Sequence, residues 1–306
     1  MSKAAELAAL IGSQTALSNR NMIINGAMQV AQRATSATAQ HGSGYITCDR
    51  WLHITTYEDN LRFTVTQEAD GPSGFSKSLK LQTTTAESAV ASNEVYAVKQ
   101  RVEGNTLQSL GFGTSAAKKF TVSFYVKSSV AATYGFSGYL YNSAKVFGQS
   151  YTINSANTWE RKSITFDALT SGAILDDNTK QLQLNWFLMV GTDYTSGSNS
   201  GWEAFATNKQ AVGHTANAVG TTLNATWQIT GVQMEVGEQA TPFEHRSFGD
   251  ELARCQRYYW KGEVSAGPIY LGNGANIPVG NGFLFPVTMR AIPSGSVLSN
   301  EHAGNS

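Results

Sequence analysis

The stretch KFTVSFYVK, Lys119 to Lys127, decides the fold, because Phe120, Val122, Phe124 and Val126 take every second position and leave Thr, Ser and Tyr between them. A period of two is the pattern of a β-strand with one face in a core and one face wet. The same alternation recurs outward along the chain. Leu61, Phe63 and Val65 alternate in LRFTVTQ, and Leu182, Leu184, Trp186 and Leu188 in QLQLNWFLM, with shorter runs in SLKLQ, TYGFSGYLY and RKSITF. Between them lie breaks rich in turn residues: EADGPSG, GFGTSAAK, NSANT, LDDNTK and TSGSNSG. Roughly ten short strands with no long helical segments between them predict an antiparallel sandwich or barrel and exclude a βαβ arrangement. No fixed repeat is present, which disfavours propellers and β-helices.

One late strand carries a change of parity. In TWQITGVQMEV, Trp227 and Ile229 share one face, whereas Val232, Met234 and Val236 fall on the other, and Gly231 sits at the switch. A β-bulge at Gly231 would insert one residue and return both sets to the same core.

Composition narrows the partners. The 306 residues carry 22 basic and 22 acidic side chains, so the net charge is zero, with 41% apolar residues to build a core. This balance lacks the basic footprint of nucleic-acid or anionic-membrane binding. Only 14% of residues are charged, so the surface is largely uncharged and polar, which suits a surface-assembled β protein better than a lone monomer. Cys48 and Cys255 stand far apart without CxxC or Cys/His spacing, and each reads as a free, buried thiol. No window reaches the ~18 apolar residues of a membrane span, and MSKAAELAALIGSQ is too short for an export signal, so a soluble chain is expected.

The ends change period. Ala4, Leu7, Ala8 and Ile11 recur at helical spacing in an alanine-rich stretch closed by Gly12. A helix this short is marginal alone. Its stripe, with Leu7, Leu10 and Ile11 as candidates, therefore seeks copies of itself or a groove on another protein, unless the segment is a frayed tail. Beyond the sandwich, Ser247 and Asp250 resemble a capping box, after which Leu252, Cys255 and Tyr259 share a helical face. PIYLGNG and GFLFPVTMRAIP then read as strands of a small second β unit. The expected division is 1–18, a docking or trimerisation segment; 19–247, a β-sandwich; and 248–306, a helix and a small β unit.

Candidate chemistry is sparse. GFGTSA, Gly111 to Ala116, matches a loose dinucleotide pattern but leads into a strand, not a helix. His41, His53, His214, His245 and His302 are scattered singly, with no metal or nucleophile signature. Asp176 and Asp177 lie in a turn where Asp caps backbone, and Glu235 and Glu238 flank Gly237 at a strand end, so each carboxylate pair has a structural explanation. No cofactor, metal or catalytic residue is expected. Aromatic residues are more informative: Trp186, Trp227 and Phe124 read as core, but Tyr139 and Tyr141, beside Asn142, and Tyr194 and Trp202, flanking TSGSNSG, are candidates for stacking on sugar faces. Trp202 reads equally well as core. In VQMEVGEQATPFEHRS, Pro242 stops the last strand, Phe243 is a candidate plug for the open end of the sandwich, and Glu244 and Arg246 pair or meet backbone groups there.

Several of these stretches resemble a module of bacteriophage tail-fibre and related virion proteins: NRNMIINGAMQVAQR, CDRW (Cys48 to Trp51), TVSFYVKS, TWERKSITF and, most specifically, VQMEVGEQATPFEHRSFGDELARCQRYY. The resemblance spans roughly residues 19 to 260. It implies a jelly-roll sandwich similar to carbohydrate-binding modules, on an appendage that is commonly a homotrimer, with the N-terminal segment joining it to the virion. The expectation is a non-enzymatic virion protein of tail-fibre type, assembled in the host cytoplasm, with phage tail or capsid proteins as partners and a host-surface glycan as ligand. Alternatives are an adaptor, head fibre or capsid-decoration protein that packs only on virion proteins, and, third, a glycan-degrading enzyme.

Overall fold

The computed structural model describes residues 19–56, 60–261 and 285–294. Among the described residues, twelve strands form two six-stranded antiparallel sheets. In spatial order the first holds β1 (Ser36–Gln40), β3 (Arg62–Glu68), β4 (Ser78–Thr85), β12 (Thr226–Val236), β6 (Phe120–Ser128) and β9 (Glu160–Phe166). The second holds β11 (Glu203–Ala204), β8 (Lys145–Thr152), β7 (Thr133–Leu140), β10 (Lys180–Val190), β5 (Val95–Glu103) and β2 (Trp51–Thr56). Apart from β3–β4 and β7–β8, neighbours are not consecutive in the chain, as in a jelly roll, and the inner faces share one core. Phe120, Val122, Phe124 and Val126 of β6 are fully buried, and Phe124 meets Trp186 of the facing β10 edge-on with ring centroids 5.7 Å apart.

The bulge is present. Pairing of β12 with β6 slips between Thr230 and Gln233, and Gly231 has φ +59. Trp227, Ile229, Val232 and Met234 consequently all enter the same core, fully buried. A Cβ at Gly231 would stand 2.7 Å from the Phe75 ring and 2.9 Å from Tyr125, on the outer side of the sheet.

Two helices are described, α1 (Ala218–Thr221) and α2 (Phe248–Gln256). Ser247 caps α2 by accepting from the Asp250 N–H at 3.2 Å. The buried side of α2 carries Glu251 and Cys255, four apart, while Leu252 is only half-buried, so the inward face differs from the expected Leu252, Cys255, Tyr259 set. The expected N-terminal helix, with Leu7, Leu10 and Ile11, lies outside the described residues, as does PIYLGNG. Residues 285–294 carry no strand.

Candidate functional site

The segment 19–33 is knotted to α2 and to the corner before it. Asn21 donates its N–H to Glu244 Oε2 at 2.9 Å and its Nδ2 to the Val232 carbonyl at 3.1 Å, and its Oδ1 accepts from the Met234 N–H. Asn25, fully buried, donates its N–H to Glu251 Oε1 at 2.6 Å, and its carbonyl accepts from Trp51 Nε1 at 3.0 Å. Arg246 donates to the carbonyls of Ile23 and Asn21 and lies 3.5 Å from Glu251 and 3.7 Å from Glu244. The Pro242 carbonyl accepts from Arg20 at 2.7 Å. The stretches NRNMIINGAMQVAQR, CDRW and PFEHRSFGDELARCQRYY are thus one assembly in space.

Phe243 corrects its expected place. It does not fill the open end between the sheets but lies on the outer face of the first sheet, 5.1 Å from Phe75 and 4.9 Å from His245 by ring centroids, with Phe75 in turn 5.3 Å from Tyr125. Tyr125 must point outward, because its neighbours Phe124 and Val126 are core.

The four aromatic candidates separate. Trp202, half-buried, packs its ring against Phe112, Phe120, Phe147 and Phe166 at the edge of the core, and its Nε1 donates to the Asp167 carbonyl at 2.8 Å, which favours the packing reading over the sugar platform. Tyr194 belongs to a second apolar cluster, with Phe187, Val95 and Ala211, where the chain after β10 lies across the outer face of the second sheet; it too offers no free platform. Tyr139 and Tyr141 remain on that outer face. Their rings meet edge to face at 4.7 Å, and Tyr139 continues to Phe205, 43% exposed, at 4.9 Å.

Register sets what stands beside these rings. Pairing aligns Tyr139, Gln183 and Arg101 in one row across β7, β10 and β5, and Ser137, Asn185 and Lys99 in the next. Leu182, Leu184 and Trp186 face the core, so these intervening side chains face out. They form one network: Tyr141 donates to Gln183 Oε1 at 2.8 Å, Arg101 Nε to the same oxygen at 3.0 Å, Gln183 Nε2 to Asn185 Oδ1 at 2.7 Å, and Asn185 Nδ2 to Ser137 Oγ at 3.0 Å. Burial, with Arg101 and Lys180 nearby, pulls the Lys99 ammonium down to about 8.

The same row runs into a cavity of about 520 Å³ beside β5, the start of β10 and the end of α2. Five cationic side chains line it: Arg33, Arg50, Arg101, Lys180 and Arg290. Two carboxylates, Asp49 and Glu103, face them. Tyr45, Tyr258 and Tyr259 supply aromatic wall. None of the five cations was singled out in the sequence. Lys99 and Arg101 could have been, since they alternate with Val98, Gln100 and Val102 and must share the outer face of a strand; the convergence of the others is tertiary.

Chemically, ring faces suit the C–H faces of sugars, and amides and guanidinium groups suit hydroxyls and charged substituents. Three of the four carboxylates weighed as acids or bases are otherwise engaged. Asp177 Oδ1 caps the Thr179 N–H at 2.9 Å, and buried Glu235 accepts from Thr241 N–H and Oγ1 and from Gln233 Nε2, while Glu238 lies 3.5 Å from Lys119. Among the described residues no three His, Cys, Asp or Glu gather closely enough to hold a metal ion. Both cysteines are free and buried.

No family model matches the chain, and no curated protein matches it in sequence. Solved structures similar to it include the enzymatically active domain of bacteriophage CBA120 tailspike protein 4, at 12% identity and TM-score 0.36, over 71% of this chain and 22% of that one. The chain thus spans under a quarter of that tailspike chain's length. Others are TmCBM61 in complex with β-1,4-galactotriose (7% identity, TM-score 0.35, 72% of this chain and 100% of that one) and a family 11 carbohydrate-binding module from Clostridium thermocellum in complex with a mixed-linked tetrasaccharide (10%, 0.32, 69% and 98%). The strand order, and not these likenesses, establishes the fold.

Proposed function

We propose that the chain is a non-catalytic, glycan-binding module of a bacteriophage appendage of tail-fibre type, joined to the particle by its N-terminal segment and working as a homotrimer. The observation that carries glycan binding is the continuous strip on the outer face of the second sheet, in which Phe205, Tyr139 and Tyr141 adjoin the Gln183–Arg101 network and open into the cavity. The virion setting is supported by the sequence resemblance across residues 19 to 260.

The test is binding of the purified protein to host cells and to their isolated lipopolysaccharide. Tyr139→Ala is expected to lower it at least tenfold with an unchanged melting temperature. Absence of binding by the unaltered protein refutes the glycan role. Light scattering before and after removal of residues 1–18 tests trimerisation through that segment, and an unchanged mass excludes it.

One observation favours the alternative of an adaptor or decoration protein: the partly exposed cluster of Phe75, Tyr125, Phe243 and His245 on the first sheet is an apolar patch that a neighbouring virion protein would cover. Incorporation into particles without any cell binding is the outcome that selects it.

A further inference from the structure

Of the five cations around the 520 Å³ cavity, Arg33 pairs with Asp49 and the other four are held in place without a carboxylate partner. Arg33 stacks on Tyr259 at 3.6 Å and Arg50 on Tyr258 at 3.5 Å, and the Lys180 ammonium stands 4.2 Å over Tyr141. Arg101 is fixed through its Nε on Gln183, and Arg290 through its Nη1 on the Asn178 carbonyl at 2.8 Å. π-faces, amides and carbonyls orient a cation but leave its charge uncompensated. Asp49 accepts from Gln32 and lies 3.4 Å from Arg33, and Glu103 Oε2 accepts from Arg257 at 3.1 Å, while Glu103 Oε1 is buried without a partner. Among the described residues Arg50, Arg101, Lys180 and Arg290 form no salt bridge.

Burial adds to the demand for an anion. Arg50 is 9% exposed, and its Nε is buried without a hydrogen-bond partner. Burial, then Arg101, lowers the Lys180 ammonium from its ordinary value. Like charges gathered in a partly desolvated cavity repel, and the arrangement is relieved by an anion entering among them. The cavity is within the size of ligand pockets, about 300–1,000 Å³, and two of its lining residues, Arg101 and Lys180, touch Gln183 and Tyr141 of the strip.

We propose that this cavity binds the carboxylate of an acidic sugar, with Arg101 and Lys180 on its strip side gripping the charge and the tyrosine strip carrying the rings of the same glycan. A planar carboxylate matches the guanidinium fork, and the stacked arginines present that fork already oriented. The inference rests on the glycan-binding reading above and names its substrate class.

The experiment titrates the full chain by calorimetry with oligogalacturonate, with the same oligomer methyl-esterified, and with inorganic phosphate. Esterification removes the charge and keeps the rings. The acidic oligomer is expected to bind at least tenfold more tightly than the ester, and the Arg101→Gln/Lys180→Gln double variant to lose that preference while keeping its melting temperature. Equal affinities for the two oligomers, discrimination retained in the double variant, or phosphate binding as tightly as the acidic oligomer would each overturn the proposal. If neither oligomer binds but the protein still adheres to host cells, the acidic-sugar site fails and the glycan role stands. If the acidic oligomer binds with the expected preference but no host glycan does, the cavity stands and the receptor role fails.

Discussion

Replacing Asn25 with Ala tests whether the N-terminal segment is the clasp that holds the cavity wall to the sandwich. The fully buried Asn25 side chain donates its Nδ2 to the carbonyls of Val30 at 2.8 Å and Asp49 at 2.9 Å, and its Oδ1 accepts from the Val30 N–H at 3.0 Å. Its backbone has φ +60, a left-handed conformation that is strained for Ala more than for Asn. Alanine therefore strands one buried N–H, at a cost of about 1–3 kcal/mol, weakens two carbonyls at roughly 1 kcal/mol each, and adds about 1 kcal/mol of backbone strain. The sum, about 4–6 kcal/mol, is a large share of the 5–15 kcal/mol that stabilises a typical domain. Asn25→Gly loses the same bonds without the strain, so it is expected about 1 kcal/mol above Asn25→Ala. Urea denaturation followed by tryptophan fluorescence measures both. A loss under 2 kcal/mol for Asn25→Ala, or Asn25→Gly less stable than Asn25→Ala, would refute the reasoning.

Trp202→Ala is expected to cost about 2–4 kcal/mol of stability, because its ring packs on Phe120, Phe147 and Phe166, and to leave glycan affinity unchanged once folding is accounted for; a selective binding defect at full stability would restore it as a platform. Acid sensitivity follows from two histidines that burial holds neutral, His53 and His214, each lowered to about 4, with His214 also accepting the Gly135 N–H on Nδ1. The unfolded chain takes up these protons near 6.5 and the folded one near 4, so stability is full above pH 6.5 and falls by roughly 1.4 kcal/mol per histidine per unit toward pH 4. Denaturation midpoints across that range check it, and a His214→Gln variant should flatten the slope. Burial raises the thiols of Cys48, to about 12, and Cys255, so neither should react with a thiol-specific disulfide reagent at pH 8 until the protein is unfolded; rapid native labelling would contradict their burial.

The sandwich was legible because its cause is local. Alternation in KFTVSFYVK and QLQLNWFLM states which side chains face the core whatever the partner strand, and Gly231 announces its bulge because only an inserted residue reconciles Ile229 with Val232 on one face. The cavity was not legible in the same way. Arg33, Arg50, Arg101, Lys180 and Arg290 come from five separate stretches and meet only after Asn21, Asn25 and Glu251 tie the first described strand-free segment to α2. Phe243 shows the limit from the other side. The last strand already ends at Val236, before Gly237 with φ +119 and six residues short of Pro242, so the proline is not what stops it; which side of the sheet the Phe243 ring falls on depends on the space over Gly231, where the missing Cβ leaves a seat for Phe75 that Phe243 then packs against. A glycine chosen by backbone conformation on the inner side thereby determines the aromatic surface on the outer side, and no period in the sequence carries that coupling.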